Sequence, residues 1–210
     1  MIPKINFVYS WIYQETLFNP KDIKYDKDKS WKYVNSFINK LSKKWTKKGP
    51  KILAYMERIT GLKWKKKEIN CYVLKISEFY PFSDPLTIAI QLKYKDKITT
   101  LNVNRFIDIL IHELIHNLFI ENGINMHKYF QYLFKKYKNL SHRTVIHIPL
   151  YAVHKEIYLK FFSKKRLEYD IKIAQKRSDY KNAWDIVLKE GSKKIITGLK
   201  NIEKYHKLYF

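Results

Sequence analysis

The feature that most constrains the fold is the most apolar stretch of the chain, residues 106–120. It is shorter than the roughly 20 apolar residues that a membrane span needs, and Asp108, His112, Glu113 and His116 interrupt it. Leucine and isoleucine occupy nearly all sides of its helical projection, so the stretch predicts a helix buried in the protein core. Polar side chains inside such a helix are costly unless they have partners. The two histidines and the glutamate therefore need an explanation.

These polar residues form the string His112-Glu113-Leu114-Ile115-His116, an HExxH pattern in a helical segment. Side chains four residues apart lie about 40° from each other around a helix, so the two imidazoles face the same side. Zinc accepts such nitrogens and keeps one position open for water when it is catalytic. Glu113 projects about 100° away, turned aside from direct ligation but near enough to take a proton from that water. The string predicts zinc held by His112 and His116, with Glu113 as general base.

The segments around this helix indicate an α+β fold, mostly helical, with a small antiparallel sheet packed against the HExxH helix. The expected strands are residues 71–76, 88–94 and 98–103. The last two form a hairpin around the turn at residues 95–97. The HExxH helix follows this hairpin, with Asn104 as its N-cap and with Asn122 and Gly123 at its end.

Helical periodicity continues on either side of this core. Ser30 is the expected N-cap of a helix that ends at Gly49 and Pro50, and a second helix runs from Pro50 to Thr60. Ser141 caps a further helix to about Phe162, and the remainder of the chain is helical. No linker rich in glycine or serine divides the sequence, so we expect a single domain, residues 1–210. Its expected parts are an N-terminal helical part (1–61), a catalytic core (62–162) and a C-terminal helical segment (163–210).

The charge balance is strongly basic, with a formal net charge of +23 from 42 lysines and arginines against 19 acidic residues. Such an excess raises the question of nucleic acid. Only five of these residues are arginine, however, and lysine is scattered along the whole chain. We therefore expect a solvated basic surface. Nonspecific binding of polyanions stays open, and the alternative function is a basic nucleic-acid-associated protein with a structural metal or none.

The single cysteine, Cys71, excludes an intramolecular disulfide and favours a reducing compartment. The first ten residues lack the apolar core of a signal peptide. No segment is long and apolar enough for a transmembrane helix. The expected location is the cytoplasm.

The HExxH string, preceded by the predicted hairpin, resembles the zincin metallopeptidases and is similar to the small archaeal members of the gluzincin group. The resemblance covers roughly residues 72–161. It implies a zinc metallopeptidase in which His112 and His116 are ligands and Glu113 is the base. It also implies that a peptide or protein substrate lies along the outer strand of the sheet by strand addition. The metzincin pattern is absent, because Asn122 stands where that pattern has its third histidine.

The third ligand is the least determined part of the predicted site. In the helix from Ser141, His154 lies near the centre of the face defined by the apolar residues, so we expect His154 to complete the metal site. Glu156 falls on the opposite, solvated side. His147 lies about 10 Å from His154 along the helix axis, so one zinc ion hardly binds both. His147 is expected to support a ligand or to stabilise the oxyanion.

Other arrangements remain open at this point. His127 is a rival third ligand, because a histidine at the start of the next helix resembles another zincin group, and Glu121 is a more distant candidate. Tyr151 and Tyr158 lie on the side of His154 and could assist the oxyanion, although packing is their more usual role. An inactive, peptide-binding zincin is a further alternative, which the intact Glu113 disfavours. The segment after Phe162 could cover the cleft as an inhibitory lid.

Overall fold

The computed structural model describes residues 1–123 and 128–201. Helix accounts for 62% of these described residues and their strands form one small mixed sheet, which confirms the expected α+β class with a majority of helix. Contacts between Cα atoms group the chain into two compact units. The sheet unit comprises Ile2–Pro50 and Lys66–Asn117, and the helical unit comprises Met1, Lys51–Lys65 and Leu118–Phe210.

The sheet unit contains five strands: β1 (Lys4–Val8), β2 (Glu68–Ser77), β3 (Phe82–Ser83), β4 (Leu86–Tyr94) and β5 (Lys97–Thr100). Their order is β1-β2-β4-β3, and β5 also pairs with β4. β1 and β4 both run parallel to β2, with Val73 opposite Ile88, whereas β3 and β5 run antiparallel to β4. The predicted strands and the hairpin are confirmed, but the prediction of an antiparallel sheet is wrong.

The mixed sheet results from the segment between β2 and β4. A connection this short usually joins antiparallel strands, because a parallel pair normally needs a crossover of a dozen or more residues. Here residues 78–85 run back from the end of β2 to the level of Tyr72, where the pairing of β4 with β2 begins, and contribute β3 on the way. The two long strands therefore point in the same direction, which the alternation of side chains within each strand does not reveal.

The connection from β1 to β2 contains a short helix, α1 (Trp11–Tyr13), a π-helical turn (Gln14–Phe18) and the long helix α2 (Lys27–Thr60). The Gln14 side chain is buried. Its Nε2 donates to the Ile76 carbonyl at 2.9 Å, and its Oε1 accepts from the Lys75 amide at 2.7 Å. The side chain thus continues the backbone pairing of β2 beyond the point where β1 ends.

The two helices expected on either side of Gly49 and Pro50 are one continuous helix, so the predicted break is wrong. Gly49 serves close packing, since a Cβ atom there would collide with the buried indole ring of Trp45. Pro50 lacks the amide that would bond to the preceding turn, which costs about 3 kcal/mol in a helix interior. Burial of the apolar face on both sides offsets that cost, and this face includes Leu41, Ile52 and Met56.

The HExxH helix is α3 (Val103–Glu121). Its N-cap is Asn102 and not Asn104, because Asn102 Oδ1 accepts from the Arg105 amide at 3.0 Å. The predicted end is confirmed, since the helix stops before Asn122 and Gly123, and Gly123 has the positive φ of 65° that glycine adopts most easily.

The helical unit is arranged around α5 (His142–Phe161), whose Ser141 N-cap confirms the prediction: Ser141 Oγ accepts from the Thr144 amide at 3.1 Å. Helices that pack on α5 are α4 (Lys128–Lys136), α6 (Lys164–Ala174), α7 (Ser178–Glu190) and α8 (Ser192–Lys200). The centre of this unit is apolar and aromatic. The ring of Trp184, fully buried, stacks on Tyr151 with centroids 4.5 Å apart. Among the described helices, none has the length and apolarity needed to cross a membrane.

Candidate metal centre

α3 presents its histidines from a helix that is otherwise apolar. Leu114 and Ile115, between the two histidines, are fully buried, whereas His112 and His116 are half-buried. The two imidazole rings lie with their centroids 5.0 Å apart and their planes at 72°. The spacing of four residues therefore places both rings on one side of the helix, as predicted from the sequence.

A third imidazole completes a group of nitrogen donors. Among the described residues, His112, His116 and His147 form a group that could hold a metal ion, with one ligand atom from each and all of these atoms within 4.8 Å of one another. We call this group the histidine trio. Three neutral imidazoles suit zinc, and three protein ligands leave the fourth position for water, as catalytic zinc sites require.

The hydrogen bonding of His147 fixes which nitrogen is the donor to a metal. His147 Nδ1 lies 2.7 Å from the Arg143 carbonyl, and a carbonyl only accepts, so Nδ1 carries the proton. The lone pair of the neutral ring is then on Nε2. Burial lowers the pKa of His147 to about 4, although the bond to Arg143 opposes this shift. The imidazole is therefore neutral at physiological pH, the state that a metal ligand needs.

Residues at the start of α7 contact the first turn of α5, which carries the Arg143 carbonyl that accepts from His147. Asp179 Oδ1 accepts from Ser141 Oγ at 2.6 Å, and its Oδ2 lies 3.6 Å from Arg143 Nη1. Thr144 Oγ1 donates to the Asp179 carbonyl at 3.2 Å. The ring of Tyr180 lies 4.7 Å from that of His147. The turn of α5 that carries the carbonyl acceptor of His147 and the ring of His147 itself are thus both contacted from α7, in the way that residues behind a metal ligand usually orient it.

Glu113 is buried, with only 7% of its surface exposed. Burial raises the pKa of its carboxyl to about 8. A carboxyl with a pKa in this range exchanges a proton readily near neutral pH, as a general base and acid must. Its negative charge adds to burial in raising the pKa of the Cys71 thiol on β2, so this cysteine stays protonated.

His154, expected as the third ligand, does not belong to the histidine trio. It is buried as predicted, with 1% of its surface exposed, but its Nδ1 lies 3.8 Å from Asp170 Oδ2 of α6. The ring of Tyr158 lies 4.7 Å from that of His154. The group of donor atoms that could hold a metal ion therefore includes His147 and not the expected His154.

The remaining candidates are engaged elsewhere or lie outside the described residues. Glu156 is half-buried, and its Oε1 accepts from Ser192 Oγ at 2.6 Å, where a solvated side chain was expected. Glu121 Oε2 accepts from the Lys65 amide at 2.7 Å. His127 lies outside the described residues.

Residues that support the site were missed in the sequence. The Asn117 amide nitrogen donates to the Ser83 carbonyl at 2.9 Å and to the Glu113 carbonyl at 3.1 Å, so it ties β3 to the HExxH helix. The only indication of this role in the sequence was the position of Asn117 as a polar residue in a largely apolar helix. Asp179 gave none, because it acts on the start of α5, 38 residues earlier in the sequence.

Comparison of the chain with models of known protein families, with curated proteins and with solved structures finds no match.

Proposed function

We propose that the protein is a zinc-dependent metallopeptidase of the zincin type, with His112, His116 and His147 as ligands and Glu113 as general base. The observation that carries the proposal is the histidine trio, whose donor atoms all lie within 4.8 Å of one another. The third ligand thus moves from His154, expected from the sequence, to His147.

The HExxH helix also carries Glu113, the proposed general base beside the histidine trio. His112, His116 and His147 would hold the zinc ion, which would lower the pKa of a water molecule and polarise a carbonyl group when bound. The Glu113 carboxylate accepts the proton of the attacking water and then delivers it to the nitrogen of the departing amine. Its burial supports this role, because the raised pKa of about 8 makes the carboxyl basic enough to take that proton.

The proposed substrate is a peptide segment in an extended conformation. Hydrolysis of a peptide bond needs an accessible backbone, which an extended segment provides by pairing with a sheet edge. β3 and β5 both pair with the edge of β4 that lies away from β2, and Asn117 connects β3 to the HExxH helix. The basic composition favours encounter with acidic segments, which affects the rate of association more than the specificity of cleavage.

The test separates metal binding from proton transfer. We expect Glu113→Gln to bind zinc at wild-type stoichiometry and to lose at least about 100-fold in turnover, because the amide keeps the shape of the side chain but accepts no proton. Zinc is measured by elemental analysis, and cleavage of a mixture of unstructured peptides by mass spectrometry.

His142→Ala is the matched control, because His142 is an exposed histidine at the start of α5 that lies outside the trio. This variant keeps both zinc and turnover. Undiminished cleavage by Glu113→Gln would remove Glu113 from the reaction, and absence of cleavage by the zinc-loaded wild type would contradict the peptidase proposal.

A further inference from the structure

The long helix α2 carries a concentration of positive charge that the proposed peptidase does not use. Residues 29–56 include eight lysines and no aspartate or glutamate. All eight lysines are exposed. They are Lys29, Lys32, Lys40, Lys43, Lys44, Lys47, Lys48 and Lys51.

The lysines in the second half of the helix lie on one face. At 100° per residue, Lys40, Lys43, Lys44, Lys47 and Lys51 fall within an arc of about 100°, and they extend over about 16 Å of the axis. We call these five residues the lysine strip. The buried side chains of α2, which include Leu41, Trp45 and Ile52, lie on the opposite face. Five of the lysines that look scattered in the sequence therefore form a surface on one side of α2.

No carboxylate of the described residues forms an ion pair with any lysine of the strip. Some lysines elsewhere in the chain do contact carboxylates: Lys93 contacts Asp22 and Glu78, and Lys136 contacts Glu190 at 2.7 Å. Five like charges on adjacent turns repel each other by a few tenths of a kcal/mol per pair. A partner with closely spaced negative charges relieves this repulsion.

The chemistry of the strip favours a nucleic-acid backbone over a membrane. A helix that binds in a membrane interface places large apolar side chains beside its basic face. The exposed large hydrophobic side chains of α2 among the described residues are Trp31 and Tyr33, more than a turn before Lys40. Double-stranded DNA carries one charge per about 1.7 Å of its axis when both strands are counted, so a length of duplex equal to that of the strip carries about ten phosphate charges. Lysine contacts phosphate as a point charge without reading sequence.

We propose that the lysine strip binds the phosphate backbone of double-stranded nucleic acid without sequence specificity. The strip docks along the duplex and releases counterions from it. This binding is independent of the histidine trio, so Glu113→Gln binds duplex as the wild type does.

The test replaces the five lysines of the strip by glutamine and measures binding to a mixed-sequence DNA duplex of about 20 base pairs, longer than the strip, between about 50 and 200 mM salt. The control replaces five other exposed lysines, which removes the same charge: Lys160, Lys165, Lys172, Lys176 and Lys193. Thermal unfolding of both variants verifies that they are folded.

We expect the slope of log K against log salt to fall in magnitude by about 4 in the strip variant and by less than about 1 in the control. Affinity at the lower salt concentration should fall by at least about 100-fold in the strip variant alone. Equal losses in both variants would show attraction by net charge only and would overturn the proposal. Binding of the wild type to vesicles of anionic lipid but not to the duplex would overturn it as well.

Discussion

The burial of Glu113 suits the proposed proton transfer but lowers the stability of the metal-free protein. Its ordinary pKa of 4.5 is raised to about 8 by burial in the fold. Between these values the folded state binds more protons than the unfolded state, so the free energy of unfolding falls as the pH rises. The residue that we propose for proton transfer thus destabilises the metal-free protein at neutral and alkaline pH.

We predict that Glu113→Gln raises the unfolding temperature of the metal-free protein above that of the wild type at pH 8. The gain is at least about 1 kcal/mol, which corresponds to 2–4 °C for a chain of this size. The difference disappears below about pH 4.5, where the glutamate is protonated in both states. Thermal unfolding followed by circular dichroism across this range is the measurement. Curves for the two proteins that stay parallel from pH 4.5 to 8 would contradict the assigned pKa.

The HExxH residues could be identified from the sequence because a single helix carries all of them. His112, Glu113 and His116 are fixed relative to each other by helical geometry alone, so their spacing was sufficient. The third histidine was not predictable in this way. His147 and His154 are seven residues apart on α5 and share its buried face, so periodicity places both inward and cannot say at which level of the helix the metal lies.

At the scale of helices and strands, features that depend on neighbouring residues were predicted, and features that depend on the path or the packing of the chain were not. The hairpin β4–β5 and the capped start of α5 depend on neighbouring residues, and both were predicted. The parallel pairing of β2 with β4 depends on the path of a short connection. The continuity of α2 depends on Trp45 packing over Gly49, which outweighs the tendency of a Gly-Pro pair to end a helix.

The contact between α7 and the first turn of α5 yields a second prediction. Asp179→Ala removes the acceptor for Ser141 and the partner of Arg143, so the carbonyl that orients His147 is less well fixed. We expect zinc affinity to fall by about 10-fold or more, with turnover largely retained at saturating zinc. Zinc titration against a competing chelator measures the change.

Asp185→Ala is the matched control for this prediction, because Asp185 lies on the same helix and pairs with Lys181 at 2.8 Å on the surface. Its zinc affinity should equal that of the wild type. Equal affinities for wild type and Asp179→Ala would show that α7 does not position His147.

At the scale of the whole molecule, the C-terminal helices belong to the core around α5. Trp184 of α7 is fully buried against Tyr151, and Ser192 at the start of α8 donates to Glu156. An inhibitory lid would be held by few buried contacts, whereas these helices cover the side of α5 that is apolar.

We therefore predict that a chain ending at Phe162 loses its cooperative unfolding transition, since removal of Trp184 alone leaves a cavity that costs about 3–5 kcal/mol. Circular dichroism during heating measures the transition. A shortened chain that unfolds cooperatively and cleaves peptides faster than the full chain would show instead that the segment is a lid.

The proposed metal site requires that the three imidazoles of the histidine trio, and not His154, hold the zinc ion. The measurement is the zinc content of single variants after gel filtration with excess zinc, with circular dichroism to verify folding. We predict that His112→Gln, His116→Gln and His147→Gln each lose bound zinc, while His154→Gln and the exposed control His142→Gln retain one equivalent per chain. Retention of zinc by His147→Gln together with its loss in His154→Gln, or a wild-type protein that stays free of metal, would contradict it.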